Sequence, residues 1–539
     1  MANKNTRALS ARKGLDENLF EKISVAALSE NREKEFQKIA EEFHLGKAVV
    51  AGTASFYDFL KEESRKHKVK VCNGTACMTA GTQEKLTNEL LNYFQPDEIG
   101  QASCLGHCHS NYAFMYNGKT YSARDEKELQ KILSEEIPSN KKYYVDSNTT
   151  AVLTGDIADK KAFFGQAQKF KSEKGKIIGE LKKSGLRGRG GAGFPFWFKL
   201  DAVKKENASR KYIVCNADEG DPGAYSDMYL LEQQPLKVLY GMYISGLASG
   251  ADTGVLYIRG EYPQSVESIS NAISFLEENH LSPGFKWKII KGQGSYICGE
   301  ETALLSSIEG LRPEVRVRPP YPAQSGLYGK PTLVSNVETF ANLHWILENG
   351  GDKYASLGTE KSTGTKLVSL DGFFNRPGIY EMEMGTPLSE IIEKYGLGFR
   401  EEIKAVQVGG PLGGIVPYHK IKELNLDFES FDQAGFLLGH AGIVSIPKNF
   451  PMIKFIEHLL KFTADESCGK CYPCRIGSKR GYEMIKQAEA GKYKIDKKLL
   501  DDLLETLENG SLCALGGGMP LPVKNALEYF EEELTRYFN

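Results

Sequence analysis

Neither sign of charge is in excess. Lys and Arg total 68 and Asp and Glu 70, a net charge of −2, so no basic surface for nucleic acid or an anionic membrane is expected. An uninterrupted apolar run is missing too. The most apolar window, residues 238–258, is broken by Asp252 and several glycines. A buried helix followed by a strand explains it better than a membrane span. Neither an internal repeat nor a low-complexity tract occurs. The N-terminal stretch carries Lys4, Arg7, Arg12 and Lys13 without an apolar core, which predicts a solvated tail rather than a secretory signal. Disorder as the main state is excluded, because 41% of the 539 residues are hydrophobic and 26% charged, an ordinary folded balance. That length predicts three or four domains.

The ten cysteines are not spread like a disulfide framework. Eight fall into two groups, which favours metal binding in a reducing, cytoplasmic setting. Cys468-x-x-Cys471-x-x-Cys474 places three thiolates on one short turn, and Cys513 is the obvious distant fourth. A triplet plus one fits a [4Fe–4S] cluster better than zinc, whose sites usually come as two C-x-x-C pairs. Cys72-x4-Cys77 and Cys104-x3-Cys108 can hold two irons, two thiolates each, as a [2Fe–2S] centre. Zinc and a redox thiol pair are the alternatives there.

The expected fold is multidomain α/β. Residues 1–138 read as a helical segment (14–66, with helical periodicity at 32–43 and again at 55–66) and a thioredoxin-like unit. That unit has a strand at 69–71, a helix at 82–94, a hairpin turning at Asn117-Gly118 and a closing helix at 126–133. Residues 139–146 read as a linker. A glycine-rich α/β region spans 146–358, with strands at 212–215 and 254–259. Residues 365–418 resemble a small β-grasp module, strands around one helix at 388–395. Residues 440–539 read as a helical bundle.

Four motifs lie in the α/β region. Residues 185–195, GLRGRGGAGFP, bring backbone amides close to a phosphate, and Arg187 and Arg189 add positive charge. Asn216, Asp218 and Glu219 follow a strand, well placed for ribityl or ribose hydroxyls. Residues 294–302 hold Glu300 and Glu301 before an apolar helical run. Ser335, Asn336 and Thr339 form a polar cluster. Taken singly, the bland readings are a flexible loop, a solvated turn, a helix cap and a helix start.

Together with PAQSGLYGKP at 322–331 and ESCGKCYPCR at 466–475, these motifs resemble, in order, the NADH-binding flavoprotein subunit of respiratory complex I. The β subunits of electron-bifurcating [FeFe]-hydrogenases, NAD-reducing hydrogenases and NAD-linked formate dehydrogenases are relatives, and the bifurcating β subunits carry a similar N-terminal [2Fe–2S] ferredoxin. The resemblance implies FMN and NAD(H) in one pocket. Gly188, Arg189, Gly190, Gly191 and Gly193 would line the flavin and nicotinamide side, Phe194 would pack near adenine and Lys199 would approach the flavin. Asn216, Asp218 and Glu219 would contact FMN. Tyr296, Gly299, Glu300 and Glu301 would face FMN and the dinucleotide, and Asn336 and Thr339 would hold the phosphate. Cys468, Cys471, Cys474 and Cys513 match the [4Fe–4S] ligands.

Departures from the family pattern are Phe196-Trp197 after GFP, which would put bulky rings beside the nucleotide pocket, Ser335 for Asn, Ile476 for Glu and Gly516-Gly517-Gly518-Met519 after Cys513. No cysteines follow Cys513, where the bifurcating β subunits continue into a ferredoxin-like tail. The implied activity, closest to that of the bifurcating hydrogenase β subunits, is that of the NAD(H) subunit of a multisubunit electron-bifurcating oxidoreductase: hydride exchange between NAD(H) and FMN, then single-electron transfer through both clusters. No residue need act as acid or base. The implied partners are a small [2Fe–2S] subunit and a hydrogenase, formate dehydrogenase or transhydrogenase chain, with ferredoxin as a further acceptor if the complex bifurcates. The alternative, which Phe196-Trp197 and Ser335 favour, is a non-catalytic relay or scaffold subunit with a degenerate flavin pocket.

Overall fold

The computed structural model describes residues 2–123, 125–136 and 143–539. Among the described residues, three sheets organise the chain. The first has strand order Ile99–Ala102, Val69–Cys72, Ala113–Tyr116, Lys119–Ser122, with the first pair parallel and the others antiparallel. Its hairpin turns through Asn117 (φ 47°) and Gly118 (φ 69°), the left-handed pair that a two-residue turn matching the strand twist requires. The helices Thr82–Leu90 and Glu126–Leu133 cover it, and Leu86, Leu90, Phe114 and Leu129 fill its core.

The second sheet is wholly parallel: Lys286–Lys291, Thr253–Ile258, Tyr212–Ala217, Thr332–Asn336. Residues 253–258 are all buried, because helices cover both faces of a parallel sheet and leave no polar alternation. The apolar window resolves as the buried helix Pro235–Ser249, stopped by left-handed Gly250, and this strand. Among the described residues no helix is long and apolar enough to cross a membrane. Strand order reverses at Tyr212–Ala217, which lies between Thr253–Ile258 and Thr332–Asn336. The carboxyl ends Asn216 and Asn336 are register partners, and such a reversal opens a crevice for a ligand.

The third sheet has six strands: Ile415–Pro417, Ile403–Val408, Gly442–Pro447, Thr365–Leu370, Gly378–Glu383, Tyr144–Ser147. Two expectations change here. Residues 139–142 of the expected linker lie outside the described residues, but Tyr144–Ser147 is an edge strand parallel to Gly378–Glu381. Gly442–Pro447, expected in the helical bundle, is a central strand buried throughout. Full burial on both faces removes the period-two signal that would have marked it. The bundle proper begins at Met452, with helices Met452–Glu466, Ser478–Glu489, Lys497–Gly510 and Pro520–Tyr529 packed around Ile456, Leu460, Ile485 and Leu504.

The N-terminal segment also differs. Ala2–Lys13 is a helix, and its Arg7 pairs with buried Glu309 at 3.3 Å. Ser10 donates to the Glu309 carbonyl at 2.6 Å, so the chain here is docked; the Lys4 side chain is outside the described residues. The second expected helix is only two short turns, Asp58–Leu60 and Glu63–Arg65. The amides of Asp58 and Phe59 donate to the carbonyls of Gly294 and Gln293 instead, and buried Tyr57 donates to Ser307 at 2.7 Å. Tertiary partners take the groups that a helix would have used.

Candidate functional site

A cavity of about 380 Å³ opens at the sheet's reversal point. The glycine loop contributes Arg189, Gly190 and Gly191; the strand ends contribute Asn216, Asp218, Glu219 and Asn336; Tyr296, Gly299 and Glu300 close a third side, and Cys513 lies in the wall. Asn216 fixes this wall by donating to the Gly299 carbonyl at 2.8 Å. Glu300 caps the helix Glu301–Ile308 by accepting from the amides of Thr302 and Ala303, both at 2.9 Å. Asn336 caps Val337–Asn349 through the Thr339 amide. Both bland readings therefore hold, and both caps also face the cavity.

Charge is concentrated in that wall. Asp218 Oδ2 is buried without a partner among the described residues, and burial holds the Asp218 carboxyl well above its usual range. Arg189 is 1% exposed; one Nη donates to Thr363 O at 2.5 Å and Tyr354 Oη at 3.1 Å, while Nε and the other Nη have no partner. Unpaired buried polar groups are costly unless a ligand satisfies them. A polyhydroxylated, phosphate-bearing molecule such as FMN fits that donor and acceptor set.

Glu219 accepts from the amides of Asp227 at 2.9 Å and Met228 at 3.1 Å and from Ser226 Oγ at 3.2 Å, yet burial pushes its carboxyl up from the ordinary 4.5 to about 7. A raised folded-state pKa adds stability below the unfolded value, and that contribution is lost as pH rises through the folded one. Stability of the flavin-free chain, followed by thermal unfolding from pH 4.5 to 8, should therefore fall towards pH 8. Glu219→Gln should flatten the decline, and an unchanged slope would contradict it.

A narrower cleft of about 190 Å³ runs from this cavity past Gly188, Gly193, Phe194, Lys199, Glu301 and Ser335. It leads into a groove of about 790 Å³ lined by Phe194, Phe198, Lys199, Glu301, Arg318 and Tyr321. Glu301 is held between Lys199 at 2.9 Å and Arg318 at 3.1 Å. Lys199 and Phe194 thus belong to the cleft and groove, not to the main cavity. Thr339 lines none of these spaces; its Oγ1 accepts from the Arg189 amide at 2.9 Å, holding the glycine loop from beneath.

Arg187 turns away from the cavity. It donates to the Gly193 carbonyl at 2.6 Å, pairs with Glu429 at 2.6 Å and lies over the Phe428 ring. Its charge locks the loop to the neighbouring sheet and does not serve a phosphate. Trp197, expected beside the nucleotide pocket, instead packs against the domain core under Lys182. Phe198 is the ring that lines the groove, edge-on to Phe194 at 5.6 Å. Phe194 precedes the helix Phe196–Lys205 and Phe198 lies in its first turn, so their meeting depends on how Pro195 turns the chain into the helix, and sequence reasoning passed over it. Asp221 and His440 were missed as well. Tyr296 Oη donates to Asp221 at 2.7 Å, and His440 Nε2 lies 3.6 Å from Asp221 Oδ2.

The cysteines gather at two places. Cys72, Cys77, Cys104 and Cys108 are each at most 2% exposed; Cys104 Sγ and Cys108 Sγ are 3.8 Å apart, and the Gly223 amide donates to Cys108 Sγ at 3.2 Å. Cys468 and Cys474 are buried, whereas Cys471 and Cys513 are partly exposed. Ser467 Oγ lies 3.3 Å from Cys474 Sγ. Burial pushes the thiols of Cys474 and Cys513 up to about 11 and about 12, so a metal must supply the energy that deprotonates them. Among the described residues no group of three or more His, Cys, Asp or Glu side chains converges tightly enough for a single metal ion. A cluster of several irons and sulfides spans a wider set of thiols, and amide donors beside sulfur suit it.

Comparison with known proteins bears on this arrangement. Residues 181–345 match the Nuo51 FMN-binding domain, residues 454–537 the NADH-ubiquinone oxidoreductase-F iron–sulfur binding region, and residues 31–136 the thioredoxin-like [2Fe-2S] ferredoxin. The NADP-reducing hydrogenase subunit HndC of Solidesulfovibrio fructosivorans is 43% identical over 368 residues, spanning 66% of this chain and 75% of that protein. The chain belongs to the NADH-binding FMN/iron–sulfur flavoprotein family. Another member, an NADH-quinone oxidoreductase polypeptide of Rhizobium meliloti, is 39% identical over 372 residues, 67% of this chain and 88% of that protein. A chain in the crystal structure of NAD+-reducing [NiFe]-hydrogenase in the air-oxidized state superposes with TM-score 0.86 at 28% identity, covering 96% of this chain and 93% of that one. As a member of the family, the chain is an NADH dehydrogenase module with FMN, [4Fe–4S] and [2Fe–2S] cofactors.

Proposed function

We propose that the cavity holds FMN against Arg189, Gly190, Gly191, Asn216, Asp218, Glu219, Tyr296, Gly299, Glu300 and Asn336, and that NAD(H) enters along the groove past Gly188, Gly193, Phe194, Lys199 and Glu301, with Thr339 supporting the loop. FMN, when bound, exchanges hydride as an electron pair and passes electrons on singly. The observation that carries this reading is that the cavity has one C-terminal cysteine in its wall and is linked through a single loop to the N-terminal cysteines. Cys513 is in its wall, and the loop that supplies Asp218 and Glu219 also supplies the Gly223 amide to Cys108. We read Cys468, Cys471, Cys474 and Cys513 as [4Fe–4S] ligands and Cys72, Cys77, Cys104 and Cys108 as [2Fe–2S] ligands.

The protein's own part is positional. Glu301, fixed by Lys199 and Arg318, sets the entrance to the cleft; Phe194 and Phe198 offer a ring surface to a base; Tyr296, anchored on Asp221 and edge-on to Phe462 at 4.9 Å, keeps water from one wall. Of the residues on which the scaffold alternative rests, Phe196 and Ser335 line the cleft and Trp197 packs on the core, and none of them lines the main cavity. Glu301→Ala should raise KM for NADH about tenfold and weaken its turnover, by removing a carboxylate that would accept from dinucleotide hydroxyls and by releasing Lys199 and Arg318 from their fixed places, while iron–sulfur spectra stay intact. Unchanged turnover would sink this placement of the nucleotide.

Electrons leave the chain, in this reading, past the less buried side of the C-terminal thiols. Tyr472 is 75% exposed and Ile476 49% exposed, beside Cys471 and Cys474. A partner chain carrying a further redox centre fits there: a hydrogenase, formate dehydrogenase or transhydrogenase chain, with a small [2Fe–2S] subunit. The number of acceptors in that assembly decides whether an electron pair is split. We place the complex in the reducing cytoplasm, in keeping with ten unpaired cysteines. Anaerobic purification with mass spectrometry of every retained chain tests the assignment, and a chain that purifies alone yet oxidises NADH with a dye would reduce it to a free-standing diaphorase.

A further inference from the structure

Arg259 follows the strand Thr253–Ile258 directly and is 4% exposed. One Nη donates to the Glu219 carbonyl at 2.6 Å, and the other donates to the Cys104 carbonyl at 2.8 Å and pairs with Glu261 at 3.0 Å. Its guanidinium therefore stands between the flavin-cavity loop and the N-terminal cysteine loop and touches both. Tyr262 completes the contact. Arg259 lies 5.0 Å above its ring, and its hydroxyl reaches Glu219 Oε2 at 3.2 Å. The ring also presses on the cysteine loop, where a Cβ added at Gly106 (φ +72°) would come within 2.8 Å of Tyr262 Cε1.

From this geometry we propose that Arg259 is a positioning residue whose buried positive charge raises the reduction potential of the N-terminal iron–sulfur centre. The inference rests on the reading of Cys72, Cys77, Cys104 and Cys108 as ligands of that centre. Reduction adds one electron to a site already bearing four thiolates, and that electron is one of the pair that NADH delivers through the flavin. Nothing is bonded, broken or protonated at Arg259. A cation fixed nearby, away from water, favours the more negative state far more than a surface cation does. Glu261, paired at 3.0 Å with the same Nη that reaches the Cys104 carbonyl, opposes this with its negative charge. Removing either charge must then shift the potential in opposite directions, which a purely structural tie would not do.

The test is an anaerobic redox titration of the full-length holoprotein, reading the electron-paramagnetic-resonance signal of the reduced [2Fe–2S] centre. At the potential that half-reduces the wild-type centre, Arg259→Gln should lower the reduced-to-oxidised ratio about tenfold, Arg259→Lys should stay close to wild type, and Glu261→Gln should raise the ratio. If Arg259→Gln fails to assemble its cluster, the Glu261→Gln shift still decides. An unmoved potential in Glu261→Gln, or shifts of the same sign in both neutral variants, would overturn the proposal. A wild-type chain with no [2Fe–2S] signal would instead overturn the cysteine reading on which it rests.

Discussion

Cys474→Ser is expected to abolish the [4Fe–4S] signal and to slow electron delivery to a one-electron partner at least about a hundredfold, since altering only a supporting neighbour of a metal ligand already costs 10–100-fold. Cys474 is 4% exposed and sits in the turn Pro473–Gly477, with backbone so close that a Cβ added at Gly516 would lie 2.7 Å from its own Cβ. Serine fits that space, so the fold should survive. The cavity wall keeps Arg189, Asn216 and Asp218, so NADH should still bleach the flavin in a single turnover. Anaerobic stopped-flow absorbance and low-temperature paramagnetic resonance on one sample check both halves. Loss of flavin bleaching together with the cluster would mean that the two sites are not separable as described.

Gly190→Val is the converse. Gly190 lines the main cavity and the cleft, and a Cβ there would already stand 3.1 Å from the Asn336 Cβ. Two further methyls would enter the cavity or displace the Asn336 cap, costing on the order of 1–3 kcal/mol. FMN affinity should fall by about 10–100-fold and NADH oxidation with it, while both iron–sulfur signals persist after dithionite reduction. Flavin content per chain and dithionite-reduced spectra measure this. Full flavin occupancy in the purified variant would place FMN elsewhere.

Much of this site was legible because its chemistry is written in short, local motifs. The cysteine spacings, the glycine loop and the two acid pairs need no knowledge of distant contacts, and the hairpin at Asn117-Gly118 is specified by its own two residues. What sequence reasoning missed depends on packing between distant segments. Arg187 and Arg189 look equivalent in the chain, but Glu429 and Phe428 claim the first while Thr363 and Tyr354 hold the second beside the cavity. Trp197 and Phe198 differ only by which helix face meets the core. His440 and Asp221 are brought together by the strand Gly442–Pro447, whose uniform burial hid it. The docked N-terminal helix depends on Glu309, some three hundred positions away, which no local pattern announces.

The central claim is that one flavin cavity, with Cys513 in its wall and one loop between it and Cys108, feeds both cysteine groups. Its most direct test is to mix NADH anaerobically with the flavin-loaded wild type and with flavin-depleted Gly190→Val, and to follow flavin absorbance and both iron–sulfur signals over time. Flavin bleaching should come first, both signals should grow after it at a rate independent of protein concentration, and neither should grow in the variant. Cluster reduction by NADH in the flavin-depleted variant, or a rate that rises with protein concentration, would contradict the account.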